Sequence, residues 1–75
     1  MTKKIKIRPD EEYITLNVLL KLGNVISTGG MAKIYLAENI VLVNGENENR
    51  RGKKLYPGDR VETNGQEFLI VKDDC

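Results

Sequence analysis

The dipeptide Asn-Gly occurs twice in this chain, at Asn44-Gly45 and at Asn64-Gly65. Asparagine tolerates positive φ better than most residues and glycine adopts it freely. The pair therefore favours the two-residue type I′ turn, whose twist matches that of antiparallel strands. Arg60 to Thr63 and Gln66 to Lys72 flank the second pair, so this region reads as one β-hairpin. In its second arm Phe68 and Ile70 alternate with Leu69 and Val71, which predicts burial on both faces. Val41, Leu42 and Val43 run into the first Asn-Gly as a further short strand. Pro57-Gly58 marks another turn. Punctuated in this way, the second half of the chain has to build a small, mostly antiparallel sheet.

The first half carries two periodicities. Lys4, Ile5, Lys6, Ile7 and Arg8 alternate with period two, as an edge strand whose cations discourage pairing with other chains. Pro9 stops it. Leu16, Leu19 and Leu20 then follow at helical spacing behind Thr15, a good N-cap. Gly23 is expected to close this helix in the left-handed conformation. Val25 and Ile26 plug the core, and Ser27 or Thr28 caps a second helix with Ala32, Tyr35 and Leu36 on its buried stripe. Asn39 ends it through positive φ. Neither helix is long enough to stand alone, so both must pack on the sheet. The fold class is α+β: two short helices on a small sheet. Glu46 to Lys54 is charged and lacks periodicity, which predicts an exposed loop, and residues 73–75 are expected to fray.

Size and chemistry narrow the function. At 75 residues the chain is one domain, with little room for both a core and a deep pocket. It has no histidine, the commonest general base and neutral metal ligand. The lone cysteine, Cys75, has no histidine partner and can form no intrachain disulfide. Asp59 with Glu62, or Glu62 with Glu67, could in principle serve as an acid–base pair, but a turn cap and two solvent-facing glutamates explain them better. No metal site, cofactor or catalytic group is expected. Nor is there a secretory h-region or an apolar run approaching a membrane span, so a soluble, cytoplasmic protein is the expectation, monomeric and with no membrane partner.

Charge is informative through its distribution. Twelve lysines and arginines nearly cancel eleven acids. Arg50, Arg51, Lys53 and Lys54, however, fall within five positions, where an anion would relieve their mutual repulsion. Arginine can fork two hydrogen bonds onto a phosphate, and lysine adds a point charge. The competing explanation is a flexible solvated loop. A second candidate is the junction Thr28-Gly29-Gly30-Met31-Ala32-Lys33. There a phosphate could approach helix-start amides past two glycines, with Lys33 as countercharge. Equally, Gly29 and Gly30 could only relieve crowding between the helices. Lys21 lies near the end of the first helix, where it also complements the dipole. The aromatic residues Tyr13, Tyr35, Tyr56 and Phe68 are scattered along the sequence, so no base-stacking platform is expected.

Taken in order, Ile14-x-Leu16-x-x-Leu19-Leu20-Lys21, Ala32-Lys33 with Leu36, Val41-x-Val43-Asn44-Gly45 and Lys54-Leu55-x-x-Gly58-Asp59 resemble the S4 RNA-binding domain over about residues 13 to 63. The Gly-Gly-x-Ala-Lys junction and the Asn-Gly-Glu-x-x-x-Arg-Arg-Gly-Lys-Lys segment look most like the small stand-alone bacterial S4 proteins. The resemblance implies that the helices and the following loop form an RNA-binding face. Carried over by position, that face comprises Lys21, Gly29, Gly30, Lys33, Arg50, Arg51, Lys53 and Lys54, while Asn44, Gly45, Gly58 and Asp59 are structural. Two cations usual in the family are replaced, one by Thr15 and one by the Thr28-Gly29-Gly30 junction. The implied partner is structured RNA, ribosomal RNA or a ribosomal particle above all, with a role in ribosome assembly or maturation. The rival reading is a protein–protein adaptor without RNA affinity.

Overall fold

Hydrogen-bond pairing in the computed structural model, which describes residues 2–73, gives a mixed five-stranded sheet and a separate two-stranded ribbon beside two helices. In chain order the elements are β1 (Thr2–Ile7), β2 (Ile14–Thr15), α1 (Leu16–Leu22), α2 (Met31–Glu38), β3 (Leu42–Val43), β4 (Glu46–Asn47), β5 (Lys54–Leu55), β6 (Arg60–Thr63) and β7 (Gln66–Lys72). The main sheet runs β1-β7-β6-β3-β4, and β2 pairs with β5. Only the β1–β7 pairing is parallel; the others are antiparallel. This is the α+β arrangement that the sequence predicts.

Both Asn-Gly turns form with positive φ at each residue: 52° and 84° at Asn44-Gly45, 53° and 72° at Asn64-Gly65. Gly58 follows Pro57 at φ 97°, and the Asp59 N–H donates to the Tyr56 carbonyl at 2.9 Å, closing a type II turn. Asn44 and Asp59 then tie two turns together. Asn44 Nδ2 donates to Asp59 Oδ1 at 3.1 Å, and Asn44 Oδ1 accepts from the Arg60 N–H at 3.0 Å.

One core serves all layers. Ile5, Ile7, Val43, Val61, Phe68 and Ile70 of the sheet cluster with Leu16, Leu19, Leu20, Ala32 and Leu36 of the helices. β1 is an edge strand, with Ile5 and Ile7 buried and Lys4 and Lys6 exposed, as its alternation requires. The expectation that β7 is buried on both faces needs correction. Phe68 and Ile70 are fully buried, but Leu69 and Val71 are only half-covered, because the helices pack on one face.

Helix termini differ from expectation in three places. At the end of α1 the left-handed residue is Asn24 (φ 60°), while Gly23 sits at φ −83°. The Val25 N–H reaches the Leu20 carbonyl at 2.9 Å and the Asn24 N–H reaches that of Lys21 at 3.1 Å, a Schellman pattern with asparagine at its pivot. Gly23 is required for space instead: a β-carbon there would stand 2.6 Å from Phe68 Cε1. At the start of α2 no side chain caps the helix, and Gly30 occupies the N-cap in helical conformation. The expected Ser27 or Thr28 cap does not form; the Thr28 carbonyl instead accepts from the Met31 N–H. Asn39 ends α2 in extended conformation (φ −130°), with its N–H and its Nδ2 both donating to the Tyr35 carbonyl. The expected frayed tail falls partly on residues 74 and 75, outside the described residues. Asp73 itself is held, its N–H donating to the Ile7 carbonyl at 2.9 Å.

Candidate nucleic-acid interface

Three amides open α1 without intrahelical partners, as in any helix, and each finds an acceptor. Thr15 Oγ1 accepts from the Val18 N–H at 3.5 Å. The Leu16 N–H donates to the Lys53 carbonyl at 2.9 Å, and the Asn17 N–H to that of Arg51 at 3.0 Å. The basic segment is thus fastened by its own backbone to the start of α1. Pairing of Lys54 with Thr15 and of Leu55 with Ile14 continues the attachment. Toward the other end, β4 pairs with β3 and the Glu48 N–H donates to the Val41 carbonyl at 2.8 Å. Residues 46–54 are therefore the mostly exposed segment their composition predicts, but one whose backbone is tied down rather than free. Most of their side chains are exposed, with Glu48 and Lys53 partly covered, but their backbone is held at both ends.

This attachment sets the cations in space. Arg50 and Arg51 line a groove of about 500 Å³ together with Asn49 and Gly52, and its opposite wall is Lys33, Leu36 and Ala37 of α2. Positions far apart in sequence thus bring three positive charges to one concave surface. Arg50, Lys53 and Lys54 border a second hollow on the outer side of the same segment. Lys21 is not among the groove's lining residues. It is exposed in the last turn of α1, at the end away from the basic segment.

Gly29 lies beside Asn17 of α1, and neither Gly29 nor Gly30 lines the groove. A β-carbon at Gly29 would meet the Asn17 amide at 3.5 Å, and one at Gly30 would meet only Thr28 Oγ1 at 4.0 Å. Both are ordinary contacts, and neither glycine has positive φ. Relief of crowding therefore does not account for them. Among the described residues neither amide has a hydrogen-bond acceptor.

The S4 domain model matches residues 5–71, nearly the whole chain. The chain belongs to the S4 domain family. It is also similar to a protein of Bacillus subtilis (strain 168) described as a probable ribosome maturation protein, RlbA. The two are 61% identical over 56 residues, which cover 75% of this chain and 79% of that protein.

Within this S4 domain, Arg50 is the one candidate cation with an ion-pair partner among the described residues. Its Nε donates to Glu48 Oε2 at 3.0 Å and its Nη2 to Glu48 Oε1 at 3.4 Å. The hydrogen bond from Arg50 is the main reason that the Glu48 carboxyl titrates below its ordinary range, against an opposing contribution from burial. The same bond raises the Arg50 guanidinium. Among the described residues no three acidic or cysteine side chains are grouped to hold a metal ion, and no helix is long and apolar enough to cross a membrane.

Two features of the site were not legible in the sequence. Asn17 sits between Gly29 and the Arg51 backbone, and its Oδ1 is buried without a hydrogen-bond partner among the described residues. A polar residue directly after the first core leucine of a helix was the only available signal. The second is aromatic. The expectation of scattered rings is overturned for Tyr13 and Tyr56, whose centroids lie 5.6 Å apart at 47°, with Lys54 Nζ 5.1 Å from the Tyr13 centroid. Alternation in β2 and β5 was the signal, since it puts these residues on one face.

Proposed function

We propose that this S4 domain is a non-catalytic RNA-binding protein that holds structured RNA, ribosomal RNA above all, by its phosphates and assists ribosome assembly or maturation in the cytoplasm. The observation that carries this reading is the groove in which Lys33 of α2 faces Arg50 and Arg51 of the fastened segment. Opposed cations on a concave surface suit a backbone rich in phosphate. Arg51 supplies a fork-shaped donor set with no ion pair among the described residues, and Arg50 can exchange its carboxylate for phosphate oxygens. Lys53 and Lys54 extend the charge around the rim. Gly29 and Gly30 add unpartnered amides at the start of α2, in place of the family's usual cation there. Lys21 is the outlying member of the set. Ribosome maturation as the setting is supported by the similarity to RlbA.

Salt dependence tests this directly. Each neutralised phosphate contributes about 0.9 to the log–log slope of affinity against salt on a duplex, and about 0.7 on a single strand. Replacing Arg50, Arg51, Lys53 and Lys54 together by alanine removes up to four such contacts. The affinity lost between 50 and 200 mM salt should then shrink by roughly 10²-fold, because a fourfold rise in salt is raised to the lost slope. Fluorescence anisotropy with ribosomal RNA fragments, alongside circular dichroism to confirm folding, gives the measurement. An unchanged slope removes the basic segment from the interface.

A specific observation favours the protein-adaptor reading as second. Met31 and Ile34, both well exposed, line an apolar hollow with Val25 and Tyr35 on another side of α2. Salt-insensitive binding to a ribosomal protein, lost in an Ile34→Glu variant that still binds RNA, would assign that face.

A further inference from the structure

The β2–β5 ribbon is only two residues long on each side, yet it sorts its neighbours strictly. Ile14 pairs with Leu55 and both point into the core, at 6% and 0% exposure. Alternation then turns Tyr13, Thr15, Lys54 and Tyr56 to the outside. Thr15 pairs with Lys54, and the same register sets Tyr13 opposite Tyr56. The two residues remain 37% and 46% exposed, and among the described residues neither hydroxyl has a hydrogen-bond partner. Tyr35 shows the contrasting case of a tyrosine used for structure. It packs against the core, with its hydroxyl 2.6 Å from Thr63 Oγ1.

We infer that Tyr13 and Tyr56, with Lys54 beside them, form a seat on which an unpaired nucleobase of the bound RNA stacks. This rests on the RNA-binding reading above and adds the group that the seat takes. Three observations lead to it. The seat is continuous with the basic segment, since Lys54 both borders the cationic hollow and approaches the Tyr13 ring. A chain whose phosphates lie on Arg50, Lys53 and Lys54 therefore passes it. The seat is also held in place: the Tyr56 N–H donates to Asp59 Oδ2 at 2.7 Å within the Pro57-Gly58 turn, so little ordering is left for binding to impose. Finally, the hollow beside Tyr56 is shared by Lys53 and Lys54 with the carboxylates of Glu46, Glu48 and Asp59. Those acids disfavour a phosphate there, whereas an uncharged base can lie on the ring and offer its N–H groups to them. The Lys54 ammonium occupies one approach to Tyr13, which leaves Tyr56 as the ring that receives the base.

The test compares two RNAs of equal length, a hairpin with an unpaired loop and a fully paired duplex. Both are titrated against the wild type, a Tyr13→Leu/Tyr56→Leu variant and a Tyr13→Phe/Tyr56→Phe variant, with folding checked by circular dichroism. Stacking one base on an aromatic ring predicts a loss of roughly 5- to 150-fold for the leucine variant on the hairpin. The phenylalanine variant should retain wild-type affinity, and the salt slope should not change, since no phosphate contact is removed. The duplex should be bound equally by all three. Equal loss on hairpin and duplex, or no loss on either, overturns the seat while leaving RNA binding intact. Failure of the wild type to bind either RNA overturns the RNA-binding reading and the seat with it.

Discussion

The two helices begin by disposing of their backbone amides differently. At α1 each of the first three amides has an acceptor, two of them carbonyls of the basic segment, and Thr15 closes the set. At α2 there is no side-chain cap, the N-cap is Gly30, and the amides of Gly29 and Gly30 face no acceptor among the described residues. A helix start is an anion-attracting terminus wherever its donors are not consumed. In α1 they are consumed to fix the segment carrying Arg50 to Lys54. In α2 the Met31 and Ala32 amides turn back onto the Thr28 and Gly29 carbonyls, and the donors left open are those of Gly29 and Gly30, just ahead of the helix. One terminus thus organises the charges; in the proposed function the other offers its two open donors to the same RNA.

That contrast can be broken from either side. Truncating the fully buried Leu16 to alanine should cost about 2–5 kcal/mol in urea unfolding, as a cavity in the core does. Alanine keeps the Leu16 N–H, so the tie to the basic segment should loosen rather than break, seen as faster hydrogen exchange at the Leu16 and Asn17 amides. Thr15→Ala removes only the side-chain cap and should cost about 1 kcal/mol. In a domain of this size that lowers Tm by roughly 4–8 °C. Gly29→Ala with Gly30→Ala should instead leave stability unchanged or raise it by about 0.4–1 kcal/mol per site, because a β-carbon fits at both. RNA affinity should nevertheless fall several-fold as the methyl groups shield the amides. Wild-type affinity in a folded double variant would leave α2's start without a role in binding.

The smallest effect concerns Glu48. Its folded-state pKa is depressed, chiefly by the hydrogen bond from Arg50, so its contribution is complete above the ordinary glutamate value and disappears as pH falls through the lower folded value. Acidification over that window should release Arg50 from Glu48. Glu48→Gln should mimic the release at neutral pH and raise RNA affinity slightly, with little change in Tm because the pair is exposed on the arginine side. NMR titration of the Arg50 side-chain Nε–H provides the readout.

Local signals were the legible ones. Asn64-Gly65, the Lys-Ile alternation of β1 and the Leu16, Leu19, Leu20 stripe each contain their own instruction, and each folds as read. What could not be read depends on partners distant in the chain. Gly23 looked like the left-handed cap, but the ring of Phe68 makes it necessary for space and passes the cap to Asn24. The basic segment read only as an exposed loop because its order comes from carbonyls meeting the start of α1, which no side-chain pattern encodes. Tyr13 and Tyr56 looked unrelated because their proximity requires the β2–β5 register. In the candidate site, residue types and charge were visible beforehand. The division into an inner groove with Lys33 and an outer rim with Lys53 and Lys54, and the isolation of Lys21, follow only from the fold.

The parallel seam between β1 and β7 has a kinetic consequence. It joins Thr2 to Glu67 and Ile7 to Lys72, so nearly the whole described chain must close on itself before the seam can form. The β6–β7 hairpin, in contrast, needs only its two-residue turn. Closure over long separations is entropically slow, which makes β1 the last strand to dock and the first to leave. Substitutions at Ile5 or Ile7 should accordingly accelerate unfolding while leaving the folding rate almost untouched, whereas those at Val61 or Phe68 should slow folding itself.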